Sequence, residues 1–257
     1  MRLKQIIMVF MCLSLTFCAS SQRKIQKARE KDPRFQHDIG LTYLQHGDPD
    51  EAIQYFKKAL DLNPRFNLAL NSLGLAYTFK GSFQNAITAF KKCLEINPTF
   101  TEAHNNLGIV YHEMGLIDKA EAEYQIALSD DNYKSKYNPY YNLARIYLQQ
   151  DKAKQALFYI DKAIQIYERM VMAHYLRGVI QERLGNFDEA LKSLKNALDI
   201  LDPSSDDIEI KFKIAEIYFK TGKHTEAKNL FLEIKPLAKN PQMVKKIEDY
   251  LRMIGNA

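Results

Sequence analysis

The sequence predicts an all-α solenoid of six helix–turn–helix repeats closed by a further helix at the C-terminus. The main observation is a pattern of 34 residues that recurs with small, aromatic and turn-forming residues at constant offsets. Three copies follow one another without a break: Gly40, Tyr43, Gly47, Ala52, Phe56, Ala59 and Pro64; Gly74, Tyr77, Gly81, Ala86, Phe90, Cys93 and Pro98; and Gly108, Tyr111, Gly115, Ala120, Tyr124 and Ala127. A repeat of this length is typical of helix pairs that stack on their neighbours.

The repeats are predicted to occupy the chain from residue 33 onward. Two extra residues precede the fourth repeat, and three precede the sixth. The later copies are less regular, since Asp151 replaces a turn glycine, Gln181 a tyrosine and Ile234 an alanine. The predicted bounds are 33–66, 67–100, 101–134, 137–170, 171–204 and 208–241, with a capping helix at 241–254.

Each recurring residue has an expected role in packing. A glycine or alanine at the eighth place of a repeat lets its two helices approach closely, and the tyrosine three residues later is predicted to fill the space beneath it. The glycine at the fifteenth place ends the first helix. The aromatic residue at the twenty-fourth place is predicted to pack between repeats, and Cys93 is predicted to be a small buried thiol.

These are the residues of the tetratricopeptide repeat (TPR), and the chain resembles that family. The resemblance implies a right-handed solenoid in which the first helices of the repeats form a concave wall that holds a protein partner. The side chains expected on this wall are apolar, aromatic and amide groups, which fit a helix or an extended segment with apolar anchors. The expected wall residues are Leu68, Asn71, Leu75, Thr78, Phe79, Asn105, Ile109, His112, Asn138, Tyr141, Arg145, Leu148, Met172, Tyr175, Val179, Phe212, Glu216 and Phe219.

The residues at the wall positions argue against one class of ligand, the C-terminal carboxylate of a chaperone. TPR proteins that grip the C-terminal carboxylate of chaperones use a lysine at the fifth place and an asparagine at the ninth. No repeat of this chain has that pair. A different kind of protein segment is therefore expected.

The N-terminal segment, residues 1–17, is predicted to be a signal peptide. Arg2 and Lys4 precede the largely apolar run Ile6–Phe17, which is too short to span a bilayer comfortably. The sequence Leu-Thr-Phe before Cys18 resembles the processing site of bacterial lipoproteins, which implies acylation of Cys18. Phe17 departs from that pattern, because a small residue is usual there. Cleavage near Ala19, giving a soluble secreted protein, is the alternative.

If Cys18 is acylated, residues 18–32 form the lipidated N-terminus and a tether to the repeats. Ala19 and Ser20 are not the aspartate that retains many lipoproteins in the inner membrane. By resemblance to that sorting rule, the protein is expected at the periplasmic face of the outer membrane. A soluble periplasmic protein is expected if Cys18 is not processed.

No pattern typical of an enzyme is present. The six histidines are scattered among the repeats without metal-ligand spacing, and the glycines other than Gly255 are repeat or turn residues rather than a phosphate-binding loop. The formal charge of +5 becomes +3 without Arg2 and Lys4, which is too small to indicate a nucleic-acid partner. We therefore expect no enzymatic activity, cofactor, metal or small-molecule substrate.

A narrower resemblance is to the pilotins of type IV pili, the PilF/PilW/Tgl group. It is carried by the Asn-Asn-Leu-Gly sequence at 105–108, by Ala127–Tyr133, and by the two-residue insertion before the Tyr-Tyr-Asn-Leu sequence at 140–143. The resemblance implies that the wall binds secretin subunits and promotes assembly of their pore in the outer membrane. Two alternatives remain: a periplasmic adaptor that scaffolds cell-wall enzymes, and a cytosolic assembly factor.

Overall fold

The computed structural model describes residues 28–202 and 207–255, and this part of the chain is helical, with no strand. The predicted signal peptide, Cys18 and most of the predicted tether lie outside the described residues. The helices are α1 (Pro33–Gln45), α2 (Pro49–Leu62), α3 (Asn67–Phe79), α4 (Phe83–Ile96), α5 (Thr101–Glu113), α6 (Ile117–Ser129), α7 (Tyr137–Gln149), α8 (Ala153–Ile166), α9 (Val171–Arg183), α10 (Phe187–Ile200), α11 (Ile208–Lys220), α12 (His224–Ile234) and α13 (Pro241–Gly255).

The chain divides into two compact units, of which the first ends at Ile126. Each predicted repeat contains two of the helices, and α1 packs on α2, α3 on α4, α7 on α8, α9 on α10 and α11 on α12. The connections within these pairs are so short that paired helices must run antiparallel. Successive pairs also pack on one another, as α2 on α3 in the first unit and α10 on α11 in the second. The structure therefore confirms the predicted all-α fold of stacked helix pairs.

The first helix of a repeat ends where its backbone turns into the left-handed region. Gly47 has a φ of 78°, and the glycines at the same place in four other repeats have φ between 73° and 79°. The next residue, Asp48, donates its N–H to the carbonyl of Tyr43 over 3.0 Å, which satisfies a carbonyl that the helix end leaves free. The fourth repeat makes the same turn with Asp151 at a φ of 60°. The predicted turn position is thus confirmed even where glycine is absent.

We expect Asp151→Gly to raise the free energy of unfolding by about 0.5–1 kcal/mol, because glycine adopts a positive φ without a clash at Cβ. The change also removes an exposed ion pair between Arg183 Nη1 and Asp151 Oδ1 at 3.0 Å, which contributes little. Urea denaturation measures the difference, and Asp151→Asn, which removes only the charge, is the control. A less stable Asp151→Gly protein would contradict this explanation.

In each of the first three repeats, the eighth-place glycine allows a ring to lie directly on the first helix. A Cβ added to Gly40 would lie 2.5 Å from Cε1 of Phe56, and one added to Gly108 would lie 2.6 Å from Cε1 of Tyr124. The close approach of the two helices is therefore confirmed. The space is filled by the aromatic residue at the twenty-fourth place, so the prediction that the tyrosine three residues after the glycine fills it is wrong. In the first repeat this tyrosine is Tyr43, and its ring stacks instead on the ring of Tyr55, with centroids 5.3 Å apart.

The second unit ends in the predicted capping helix. Ile247 of α13 is fully buried and packs in one cluster with Phe231 and Ile234 of α12. Tyr250 of α13 stacks on the ring of Phe231 with centroids 5.0 Å apart. Helix α13 thus covers apolar surface of the sixth repeat that would otherwise face water.

Irregular residues of the later repeats are accommodated by local packing. Ile234, which replaces an alanine, is fully buried in the cluster that α13 completes. Gln181, which replaces a tyrosine, is buried and accepts a hydrogen bond from Asn186 Nδ2 at 2.9 Å. Cys93, at an alanine position, is buried, and its thiol donates to the carbonyl of Asn67 over 3.3 Å. Burial raises the pKa of this thiol to about 11, so it stays protonated.

Candidate protein-binding surfaces

The first unit exposes part of the predicted wall on α3. Phe79 has 74% of its surface exposed, and Leu68 is also exposed. Asn71, Leu75 and Ile109 are partly buried, so each presents only some of its atoms. Apolar side chains this accessible on one helix are available to a partner.

Three of the predicted wall residues are buried in the structure and do not offer an exposed contact. Asn105 and His112 lie within α5, with 5% and 7% of their surfaces exposed. Phe212 of α11 packs against Phe231 and Tyr250, with ring centroids 5.8 and 6.3 Å away. All three were predicted to face a partner, and that prediction is wrong because their side chains are buried; for Phe212, rings of α12 and α13 cover it.

Polar contacts join the first helices of successive repeats in the first unit. His37 Nε2 on α1 lies 3.0 Å from Ser72 Oγ on α3. Asn106 Nδ2 on α5 donates to Asn71 Oδ1 on α3 over 3.1 Å. Burial lowers the pKa of His37, which outweighs the opposing effect of Asp38. These contacts hold adjacent helices of the wall in a defined register.

His104 lies on α5, the first helix of the third repeat, and forms hydrogen bonds through both ring nitrogens. Its Nδ1 is 2.7 Å from Glu123 Oε2, and its Nε2 is 3.0 Å from the carbonyl of Pro98. A carbonyl and an ionised carboxylate both accept hydrogen bonds, so both ring nitrogens must donate and the imidazole is protonated. In agreement, the hydrogen bond to Glu123 raises the pKa of His104 despite partial burial.

We expect Glu123→Gln to lower the free energy of unfolding by about 1.5–3 kcal/mol near pH 6, as is typical for a hydrogen bond to a charged group. The pKa of His104 is raised on folding, so its contribution is complete below the unfolded pKa of about 6.5 and is lost as the pH rises through the folded pKa. Urea denaturation at several pH values measures this, with Glu95→Gln, at an exposed carboxylate of α4, as control. A difference that grows toward alkaline pH would contradict the assignment.

In the second unit, the predicted wall residues lie on α7, α9 and α11. Met172 of α9 has 54% of its surface exposed. The other predicted residues of these helices are partly buried: Asn138, Tyr141, Arg145, Leu148, Tyr175, Val179, Glu216 and Phe219. Burial raises the pKa of both Tyr141 and Tyr175, so the hydroxyls remain neutral hydrogen-bonding groups.

Met172 borders an open, mainly apolar pocket of about 450 Å³. Side chains of α9, α11 and α13 contribute to this pocket, together with the segments before α11 and α13. Its lining includes Val171, Met172, Leu201, Ile208, Ile210, Ala238 and Met243. A pocket of this composition next to an exposed methionine suits an apolar anchor of a protein partner.

A network of charged residues, of which the sequence analysis predicted only Glu216 as a wall residue, joins α9, α11 and α13. Lys213 Nζ lies 2.7 Å from Glu216 Oε2 and 3.4 Å from Glu182 Oε2. Lys220 also pairs with Glu182, and Tyr250 Oη donates to Glu216 Oε1 over 3.1 Å. Glu182 and Lys220 occupy the twelfth and thirteenth places of their repeats, the places that the expected wall residues Thr78 and Phe79 occupy in the second repeat. Those places were therefore a signal that could have identified both residues.

The network favours the ionised form of Glu182. Burial by itself raises the pKa of Glu182, but the hydrogen bonds and charges of Lys220 and Lys213 outweigh it and leave the pKa lowered. Each partly buried charge thus has an opposite charge beside it. The network fixes α13 and α11 relative to α9 and leaves Met172 and its pocket as the accessible apolar part of this wall.

The described part of the chain contains no cluster of three or more potential metal ligands. None of its helices is both long enough and apolar enough to cross a bilayer.

Family models match most of the chain. Residues 37–99, 89–122 and 183–247 match three tetratricopeptide-repeat models, which together cover more than half of the sequence. Residues 113–197 match the model of subunit 3 of the anaphase-promoting complex, or cyclosome. A search of curated proteins found no significant match.

Solved structures share the fold over much of the chain. PilF of Pseudomonas aeruginosa is 18% identical with a TM-score of 0.74, covering 86% of this chain and 99% of PilF. PilW, described as a widely conserved type IV pilus biogenesis factor, is 16% identical with a TM-score of 0.75, covering 84% and 97%. MamA is 29% identical with a TM-score of 0.53, covering 63% and 94%. This chain is therefore a tetratricopeptide-repeat protein, one of a class whose repeats bind other proteins.

Proposed function

We propose that this chain is a pilotin: an outer-membrane lipoprotein that binds secretin subunits and promotes their localisation and assembly in type IV pilus biogenesis. Its activity would be that of a protein-binding scaffold rather than of an enzyme. The wall of first helices would hold the secretin, and acylated Cys18 would hold the wall at the periplasmic face of the outer membrane.

The observation that carries this proposal is the similarity in array length to PilF and PilW. Helix-pair arrays can grow or shrink by whole repeats, so the fold alone does not dictate their number. Nearly all of PilF and of PilW nevertheless aligns with most of this chain. MamA, in contrast, corresponds to a smaller part of it. A similar array length supports a similar task.

The N-terminal sequence supports the membrane part of the proposal. The basic residues Arg2 and Lys4, the apolar run that follows and the position of Cys18 fit a lipoprotein precursor. Each methylene of an acyl chain buried in a bilayer contributes about 0.8 kcal/mol, so several chains on one cysteine would give a stable anchor.

The experiment compares wild type with Cys18→Ala in crosslinked membranes of the native host. The protein is recovered by affinity purification, secretin is detected by mass spectrometry, and the membrane fractions are separated by density. We expect wild type to fractionate with the outer membrane and to recover secretin. Cys18→Ala is expected to leave the membrane fraction and to reduce the amount of assembled secretin multimer.

Recovery of cell-wall enzymes without secretin would overturn the pilotin proposal and favour the adaptor alternative. Fractionation of Cys18→Ala together with wild type would show that this cysteine is not the anchor. The two results are independent, so the partner and the anchor are tested separately.

A further inference from the structure

The outer edge of the first repeat has an open pocket of about 590 Å³. Side chains of α1 and α2 line it together with Glu30, which precedes α1. The apolar part consists of Phe35, Ile39, Tyr55 and Leu62. Leu62 is exposed, and the other three remain partly accessible.

In the second repeat, the residues equivalent to this edge are covered. The residues 34 positions after Phe35, Ile39 and Tyr55 are Ala69, Leu73 and Ala89, and all three are buried. Leu73 and Ala89 pack in one cluster with Ile53 and Phe56 of the first repeat. The same surface is thus covered by the preceding repeat in one case and is open in the other.

The rim of the pocket has two carboxylates available for pairing. Within residues 28–202 and 207–255, neither Glu30 nor Asp61 forms an ion pair. The remaining charge at the pocket, Lys58, lies over the ring of Tyr55 with its Nζ 4.2 Å from the ring centroid. A segment that combines an aliphatic side chain with cations would complement this edge.

The chain itself supplies such a segment directly before the described residues. Residues 22–27 read Gln-Arg-Lys-Ile-Gln-Lys, with one aliphatic residue among three cations. Ile25 is five residues before Glu30 and so lies within about 18 Å of it even in an extended chain. Gln36 Nε2 donates to the carbonyl of Glu30 over 2.8 Å, which fixes the chain at the rim of the pocket.

We propose that residues 22–27 cover the outer edge of the first repeat, with Ile25 in the pocket and the neighbouring cations beside Glu30 and Asp61. A segment joined to its site by so few residues binds at a high effective concentration, so one aliphatic anchor suffices. The segment then performs for the first repeat what α13 performs for the sixth.

The consequence for the anchor is a shorter tether. Fourteen residues separate Cys18 from α1, but only 19–21 remain between this cysteine and the docked segment. The first repeat is then held close to the point at which Cys18 is attached. The docking itself needs only residues 22–27 and is independent of acylation and of the partner.

The test places the photo-crosslinker p-benzoylphenylalanine at position 25 or, as a matched control, at position 26 of the full chain. Adjacent residues point in different directions in a helix and in an extended segment alike. We expect position 25 to give adducts with peptides containing 35–39 or 55–62, in monomeric protein, at about fivefold the yield of position 26. Leu62→Asp should abolish these adducts, and Ile126→Asp, at a similarly exposed residue of α6, should not.

Adducts to the same peptides in a crosslinked dimer would overturn the proposal and show that a second copy covers the edge. Equal yields from positions 25 and 26, adducts only outside the pocket, or adducts that persist in Leu62→Asp would also overturn it. Circular dichroism shows that the variants keep their helical content. The readout does not involve secretin or membrane fractionation, so its failure is distinct from failure of the proposed function.

Discussion

Replacing Phe90 with alanine is expected to lower the free energy of unfolding by about 3–5 kcal/mol. Phe90 has no exposed surface, and its ring lies where a Cβ on Gly74 would be 2.5 Å from Cε1. Gly74 has no side chain that could move into the space, so the cavity would persist. The ring also belongs to the contact between α3 and α4, which means that its loss weakens the whole second repeat. Urea denaturation followed by circular dichroism measures the loss.

The matched control is Phe79→Ala in the same repeat. Phe79 is 74% exposed, so the same chemical change removes little buried surface there. We expect a change within about 0.5 kcal/mol. Equal losses for the two variants would contradict the assignment of the twenty-fourth-place ring to the core of the repeat.

The change Met172→Asp is expected to reduce recovery of the protein partner about tenfold or more, as is typical for an apolar residue at the centre of an interface. Met172 is exposed beside the apolar pocket of the second unit. An aspartate there would lose its hydration when an apolar anchor docks, and nothing in a matching partner would compensate for that loss. The crosslinking experiment in membranes measures the recovery.

The control for this variant is Phe158→Asp. Phe158 has 57% of its surface exposed, similar to Met172, but it lies on α8, the second helix of its repeat. Both variants should keep the stability of wild type, because both side chains are already in water. Reduced recovery with Phe158→Asp and normal recovery with Met172→Asp would place the binding surface on the second helices instead.

The repeat pattern was predictable because its causes are local. The position of each turn depends on residues near in sequence: a residue that tolerates positive φ, and the next N–H, which bonds back to the helix it follows. Asp151 makes the turn with the same φ sign as the glycines, so the register of the pattern identified its role although the residue differs. The close helix approach at Gly40 also follows from residues within one repeat.

The exposed wall was less predictable because burial depends on neighbouring repeats. Asn105, His112 and Phe212 lie on first helices, as expected from the family pattern, but their side chains are buried in the packed structure. Tyr43 and Phe56 are both aromatic residues near Gly40 in the pattern, and only the packed structure shows which ring fills the space. Sequence spacing gives the face of a helix, whereas the distance to the next helix decides whether that face is open.

The sequence by itself determined the all-α repeat architecture, the turns and the capping helix, because hydrophobic spacing and backbone conformation act over a few residues. The tertiary structure alone decided which wall residues are accessible, which side chain packs on each eighth-place glycine, and how Glu182, Lys213 and Glu216 meet. These features depend on side chains from helices that are distant in sequence, and their contacts form only when the repeats stack.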